Sequence, residues 1–256
     1  MKVTCVEWPD GMTVEDDSWR VIAASLRDQC CDVLLTNELP FGRWLAAEAD
    51  FDQLSAQDSI AAHDRGLAAL AELGIPLVLT SRPAWHGDRL VNEAVAVADG
   101  SVIPLHRKQR FPAEPGWWET AWFTADGSGY RTARLNGLSV GVLLCTELMF
   151  NEHARHYGMQ DADLIVVPRA TDPDPTIWRT AGAMAAIVSG AYVTSSNRSG
   201  GCNPAFGGGG FAFGPDGMLL GETDTHNPLF SFNLDRERTR RQRTQAYPCY
   251  VARAAN

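Results

Sequence analysis

Hydrophobic positions along the chain alternate between two spacings, every second residue and every third or fourth. A strand-like run covers residues 3–8, and Val21, Ile22 and Leu26 mark one face of a helix over 16–29. Val33-Leu34-Leu35-Thr36 predicts a short buried strand that stops at Asn37-Glu38. Residues 56–73 carry a long helical pattern, with Gly74 and Pro76 as its stop signal. Strands are expected at 77–82, 91–97 and 101–106. The second half continues in the same style. Strands at 130–135 and 138–144 flank Asn136-Gly137, a hairpin turn pair. A helix over 151–158 leads into Leu164-Ile165-Val166-Val167, and a helix over 175–190 precedes a strand at 191–196. Hairpin strands around Pro215-Asp216-Gly217 and a strand at 229–233 complete the pattern. No repeat or Pro/Ser-rich linker interrupts it. Residues 1–256 are therefore expected to form one α/β domain, with sheet layers covered by helices.

Composition narrows the function. The chain is 45% hydrophobic and 21% charged, an ordinary globular mixture with material for a large core. Its net charge of −9 opposes binding to nucleic acid or anionic lipid, and no apolar run is long enough to span a bilayer. Five arginines between Arg236 and Arg243 read as a solvated or subunit-contacting segment, since overall acidity removes the long-range pull on anions. The start of the chain shows no secretory signal pattern. The six cysteines lack C-x-x-C spacing, and Cys30-Cys31 reads as a helix end. A reducing cytoplasm, where one thiol stays free to react, is the expected compartment.

Three polar residues stand where buried-strand patterns end: Glu38, Lys108 and Cys145. Carboxyl ends of strands are where α/β enzymes gather reactive groups. A thiol needs a base to become a nucleophile, a buried carboxylate can serve, and an ammonium can stabilise an oxyanion. Taken alone, each residue also fits a capped strand end, a surface lysine or a buried cysteine. Weaker signals point to structure. His153 and His156 have no third partner for a metal and read as helix-surface residues. Gly207 to Gly210 lacks the Gly-Lys-Ser/Thr ending of a phosphate loop and reads as a bend near the pocket.

Seven segments, in order, resemble the nitrilase (carbon–nitrogen hydrolase) superfamily over nearly the whole chain. They are Asn37-Glu38-Leu39-Pro40; His106-Arg107-Lys108; Glu119-x-x-Trp122-Phe123-x-x-Asp126-Gly127; Gly141-Val142-Leu143-Leu144-Cys145-Thr146-Glu147; the run from Asp161 to Pro168; Ser196-Asn197-Arg198-x-Gly200; and Phe213-x-Pro215-Asp216-Gly217. The resemblance implies a four-layer αββα sandwich, a Glu-Lys-Cys triad, no metal and no organic cofactor. It implies Cys145 as nucleophile, Glu38 as general base, Lys108 as oxyanion stabiliser and the Thr146 N–H as a second oxyanion donor. Glu119 resembles an additional glutamate found near the triad, and Glu147 a residue that orients the nucleophile loop. A homodimer built on helix packing is also implied, with the helix after Cys145 and the helix over 175–190 as contacts. The latter is rich in small residues (Ala181, Gly182, Ala183, Ala185, Ala186).

One departure bears on substrate. Many relatives carry an arginine four residues after the nucleophile; here Met149 stands in its place. The pocket thus lacks a ready fork for a carboxylate. Phe41, Trp117 and Trp118 lie close in sequence to the triad and are expected to line the entrance. Arg169 could recognise an anion or pair at the surface with Asp172 or Asp174. The expected reaction is cofactor-free hydrolysis of a small linear amide or N-carbamoyl compound through a thioester, with neutral or aromatic-bearing amides preferred over N-carbamoyl amino acids. Nitrile hydrolysis, acyl transfer from the same thioester, and a catalytically silent assembly role are the alternatives.

Overall fold

The computed structural model describes residues 1–253; residues 254–256, the end of the expected domain, lie outside the described residues. The first half contains β1 (Lys2–Val6), β2 (Trp8–Pro9), α1 (Asp17–Gln29), β3 (Val33–Leu35), α2 (Gln53–Ala71), β4 (Leu77–His86), β5 (Arg89–Ala98), β6 (Ser101–Arg107) and the one-turn α3 (Glu119–Trp122). The second half contains β7 (Ala133–Leu135), β8 (Leu138–Val142), α4 (Asn151–Met159), β9 (Leu164–Arg169), α5 (Thr176–Ser189) and β10 (Tyr192–Gly200). It closes with β11 (Phe206–Gly207), β12 (Phe211–Phe213), β13 (Leu219–Glu222), β14 (Leu229–Asn233) and α6 (Arg236–Thr244).

The strands form two sheets, one in the order β14-β1-β3-β4-β5-β6 and the other β13-β12-β10-β9-β8-β7. Each has a parallel trio at its heart, β1-β3-β4 or β8-β9-β10, with antiparallel strands outside. The alternation of side chains along the parallel strands explains the layering. Val33, Leu35, Leu77 and Leu79 share one cluster with Val140, Val142, Leu164 and Val166 of the other sheet, so the sheets face each other across it. Leu34 and Val78 point the opposite way, onto Trp19, Ala23 and Leu26 of α1 and Leu67 and Leu70 of α2. Ile165 and Val167 point onto Ala154 and Tyr157 of α4 and Ala181, Ala185 and Ala186 of α5. The layers are α, β, β, α, as the resemblance implies.

Several differences from the sequence pattern have local causes. Helix α2 begins earlier than expected because the Asp52 carboxylate accepts from the Ser55 N–H at 2.8 Å, capping the helix there. Residues 130–132 do not join β7, and the Tyr130 hydroxyl is instead drawn to Glu147. The arginine-rich tail forms α6, capped by Asp235, and it is tied down within its own chain. Arg236 pairs with Asp163, Arg238 with Asp216 and Arg240 with Glu237, while buried Arg243 donates to the carbonyls of Ala162 and Gly190. The small residues of α5 also need correction. Ala181, Gly182, Ala185 and Ala186 are buried in their own chain, and a Cβ on Gly182 would come within 2.6 Å of the Phe211 ring. They let α5 lie close on the sheet; its exposed apolar residues are Ile177 and Met184.

Candidate active site

Glu38, Lys108 and Cys145 each follow a strand: β3, β6 and β8 respectively. The turn after β3 is pinned at three points. The Thr36 N–H donates to the Leu79 carbonyl, the Glu38 N–H to the Arg169 carbonyl, and the Leu39 N–H to Ser81 Oγ. Leu39 takes a φ of 46°, turning the chain and leaving Glu38 at the end of the strand layer. Lys108 is fixed by its own N–H, which donates to the Asn92 carbonyl at 2.9 Å. Cys145 opens a 3-10 turn, Cys145–Met149, with a φ of 51°. A non-glycine residue in the left-handed region needs support from its surroundings.

That support comes from Glu147. Its Oε2 accepts from the Leu144 N–H at 2.8 Å and lies 2.8 Å from His106 Nε2; its Oε1 accepts from the Gln109 N–H at 2.7 Å and the Tyr130 hydroxyl at 3.0 Å. One buried carboxylate thus clamps the cysteine turn to the chain on either side of Lys108. Burial works against its charge, but the hydrogen bonds from His106 and two backbone amides hold its pKa below the usual carboxylate value. Gly141, four residues before the cysteine, lies under the Tyr157 ring, where a Cβ would come within 2.7 Å. The tyrosine hydroxyl donates to the Val142 carbonyl at 2.7 Å, locking α4 onto β8.

The reactive groups converge out of water. Glu38 and Lys108 are 0% exposed, Glu119 1% and Cys145 3%. Lys108 Nζ donates to Glu38 Oε1 at 2.8 Å and to both oxygens of Glu119 at 2.8 and 2.7 Å. Burial alone would pull the ammonium's pKa down, but Glu119 and Glu38 together push it well up, so Lys108 stays charged. Burial lifts the Glu119 carboxyl to about 8 against the pull of Lys108, with Glu38 adding to the rise. Two carboxylates share one ammonium, and the site holds a proton more readily than an isolated acid would. Burial, then the Glu38 charge, also pushes the Cys145 thiol far up, with Lys108 opposing. The resting sulfur is a protonated thiol.

Of these four residues only Cys145 lines the adjacent cleft, about 240 Å³, together with Thr146, Trp117, Met149, Asp172 and Trp178 among others. Trp117 and Met149 therefore stand where the sequence placed them. Phe41 does not. It is buried in the layer between α1, α2 and the sheet, edge-on to Trp8 and against Gly66, whose missing Cβ leaves room for the ring. Trp118 is also absent from the cleft lining; it caps α3 and donates its N–H to the Ala46 carbonyl. Arg169 is no surface residue. It is buried, donating to Ser195 Oγ, Thr171 Oγ1 and the Gly209 carbonyl, with its guanidinium over the Trp178 and Phe211 rings. Burial draws its pKa to about 10, which leaves it charged.

The glycine run wraps this arginine. The Gly209 N–H donates to Glu7 Oε1, and a Cβ on Gly208 would lie 2.5 Å from Glu7 Oε2. His153 is half-buried, stacked on Tyr130 at 3.6 Å between ring centroids, whereas His156 is exposed. Among the described residues no group of three His, Cys, Asp or Glu side chains could hold a metal, and no helix is long and apolar enough to cross a membrane.

Sequence reasoning missed Asn92. It sits in an apolar strand pattern on β5, and only the fold brings it to the residue beyond β3, two strands over: its Nδ2 donates to Glu38 Oε1 at 2.7 Å.

Comparison with known proteins bears on the family and the fold. The sequence model of the Carbon-nitrogen hydrolase family matches residues 52–244. The chain belongs to the carbon–nitrogen hydrolase family. Among relatives, the N-carbamoylputrescine amidase of Arabidopsis thaliana is 26% identical over 169 residues, covering 58% of this chain and 56% of that protein. The chain thus spans little more than half the length of that relative. Among solved structures, a carbon–nitrogen hydrolase from Helicobacter pylori G27 superposes with a TM-score of 0.86 at 18% identity, covering 97% of this chain and 94% of that one. An amidase from Nesterenkonia sp. gives 0.79 at 22% identity, covering 94% and 92%. Both share the nitrilase-like fold described above.

Proposed function

We propose that this single-domain carbon–nitrogen hydrolase cleaves small linear amides or N-carbamoyl compounds through a thioester on Cys145. The observation that carries the reading is the buried Lys108 ammonium, gripped by Glu38 and Glu119 and felt electrostatically at the Cys145 thiol on the cleft floor. Glu38 takes the thiol proton as the sulfur attacks the carbonyl carbon. The tetrahedral oxyanion is held by the Thr146 N–H and by Lys108, which exchanges one of its two Glu119 contacts for the oxyanion. Collapse breaks the C–N bond, and Glu38 passes its proton to the leaving amine. Glu38 then deprotonates a water molecule that attacks the thioester carbonyl; the acid leaves, and the thiolate recovers its proton. Glu119 tunes and orients Lys108.

The charged residues on the cleft wall, Glu114 and Asp172, are both acidic, and the walls include Trp117 and Trp178. With Met149 in the arginine position and the Arg169 donors already occupied, the cleft favours neutral or cationic tails over carboxylates. The N-carbamoylputrescine amidases among the relatives fit that preference, since putrescine's free end is an amine. Trapping decides the reading. Incubation with butyramide, N-carbamoylputrescine, an N-carbamoyl amino acid and a small nitrile, followed by intact-mass analysis, should show an acyl adduct on Cys145 with the first two. Adducts on other cysteines only, or none, would defeat it.

The same reading includes a reducing compartment, in keeping with six free cysteines, and a homodimer. With the small residues of α5 buried in their own chain, the dimer contact falls to Met159, Ile177 and Met184 on the outer faces of α4 and α5. A monomeric mass by light scattering at micromolar concentration would count against it.

A further inference from the structure

We infer that Asn92 is a positioning residue that decides which oxygen of Glu38 acts as the base. The inference rests on the amidase reading of this site. Glu38 has two carboxylate oxygens in unequal surroundings. Oε1 accepts from Asn92 Nδ2 at 2.7 Å and from Lys108 Nζ at 2.8 Å. Oε2 is fully buried and has no hydrogen-bond partner among the described residues. A buried carboxylate oxygen left without a donor is costly unless something else uses it. Here the transferable proton of the nearby thiol is the group that can.

A lysine alone would not enforce the choice. An ammonium on a flexible stem follows a carboxylate through a rotation about its last bond, so either oxygen could take its proton. The Asn92 amide sits on strand β5, and its backbone carbonyl accepts the Lys108 N–H at 2.9 Å. One residue therefore fixes the start of the lysine side chain and one end of the carboxylate. Both anchors are 0% exposed. With Oε1 held from two directions, the plane of the carboxylate is set and Oε2 is left free. The amide does this without adding charge. A second cation in its place would hold Glu38 more tightly, but it would also oppose proton uptake.

Asn92→Leu keeps much of the volume and removes the donor. Asn92→Asp keeps the shape but turns a donor into an acceptor facing Glu38. Asn92→Ser keeps a smaller donor. The readouts are kcat and KM for butyramide, the pH dependence of Cys145 alkylation by iodoacetamide, and melting temperature, with Cys145→Ala alongside. The expected result for Asn92→Leu is a fall in kcat of about tenfold or more with KM nearly unchanged, and alkylation that needs higher pH than wild type. Asn92→Asp should lose more at neutral pH than at acid pH, where a proton can sit between the carboxyls. Asn92→Ser should recover part of the loss. Asn92→Leu with near-normal kcat and an unchanged alkylation profile would overturn the inference, as would a set of variants that all fail to fold. Activity in Cys145→Ala would instead overturn the amidase reading itself.

Discussion

The floor and the mouth of the cleft are built on opposite principles. At the floor, Glu38, Lys108, Glu119 and Cys145 are almost fully buried, and the lysine's contacts to the two carboxylates all lie within 2.8 Å. At the mouth, Met149 and Ile177 are 37% and 57% exposed, and Glu114 and Asp172 are open to solvent. Stripping a buried charge of its partner at the floor costs both chemistry and stability, because water cannot reach in to replace it. Changes at the mouth alter what is attracted to the cleft and leave the scaffold intact. The chemistry is set in one place and the choice of substrate in another.

The largest break in that comparison is Cys145→Ala, which should abolish amide turnover while the melting temperature stays within a few degrees of wild type, checked by ammonia release and calorimetry. Next is Lys108→Met. Stripping the counter-ion from two buried carboxylates should cost about 3–5 kcal/mol of stability, read from urea melts, together with activity. A loss below about 1 kcal/mol would show that solvent reaches the floor.

Glu119→Gln sharpens the comparison through pH. The wild-type carboxyl is held near 8 by burial, above its ordinary 4.5. Between those values the folded protein binds more protons than the unfolded chain, so this group's contribution to stability is whole below 4.5 and lost as pH rises toward 8. The melting-temperature difference between wild type and Glu119→Gln should therefore shrink or reverse over that range. A difference independent of pH would show that Glu119 ionises normally. The smallest effects belong to the mouth. Asp172→Asn should lower kcat/KM for a cationic amide several-fold, and Met149→Arg should raise it for a carboxylated analogue by about 1 kcal/mol equivalent, both without moving the melting temperature. A shift in melting temperature equal to that of a floor variant would erase the distinction.

What could be read from the sequence divides along the same line. Glu38, Lys108 and Cys145 each stand just past a strand, but that position alone fits structural roles equally well, and Lys108 follows a β6 that is largely exposed; it was the family resemblance that joined the three. Helix-covered sheet layers followed from the alternation of strand and helix patterns and the four-layer order from the family resemblance; the structure adds that Leu34 and Val78 face opposite to Val33, Leu35, Leu77 and Leu79. Phe41 and Trp118 do not line the cleft because nearness along the chain is not nearness to the cleft, and Arg169, singled out for its place just past Pro168, has its donors taken up within the chain. Phe41 is only three residues from Glu38, yet the turn at Leu39 and the space above Gly66 send its ring to the far side of the sheet. Arg169 is the last residue of β9, and the glycine bend around Gly209 captures its guanidinium. Asn92 was invisible because its partner lies 54 residues away, and nothing in its own strand marks it.

The Glu147 clamp carries a consequence in time as well as in space. Its oxygens meet His106, Gln109, Tyr130 and Leu144, and so tie the Cys145 turn after β8 to the chain on either side of Lys108, after β6 of the opposite sheet. The first half carries Glu38, Lys108 and Glu119, and the second supplies Cys145 and the Glu147 clamp. The lysine and its two carboxylates meet the thiol only when the faces of the two sheets close on each other, a contact distant along the chain. A partly folded molecule can have most of its strands and helices and still be chemically silent.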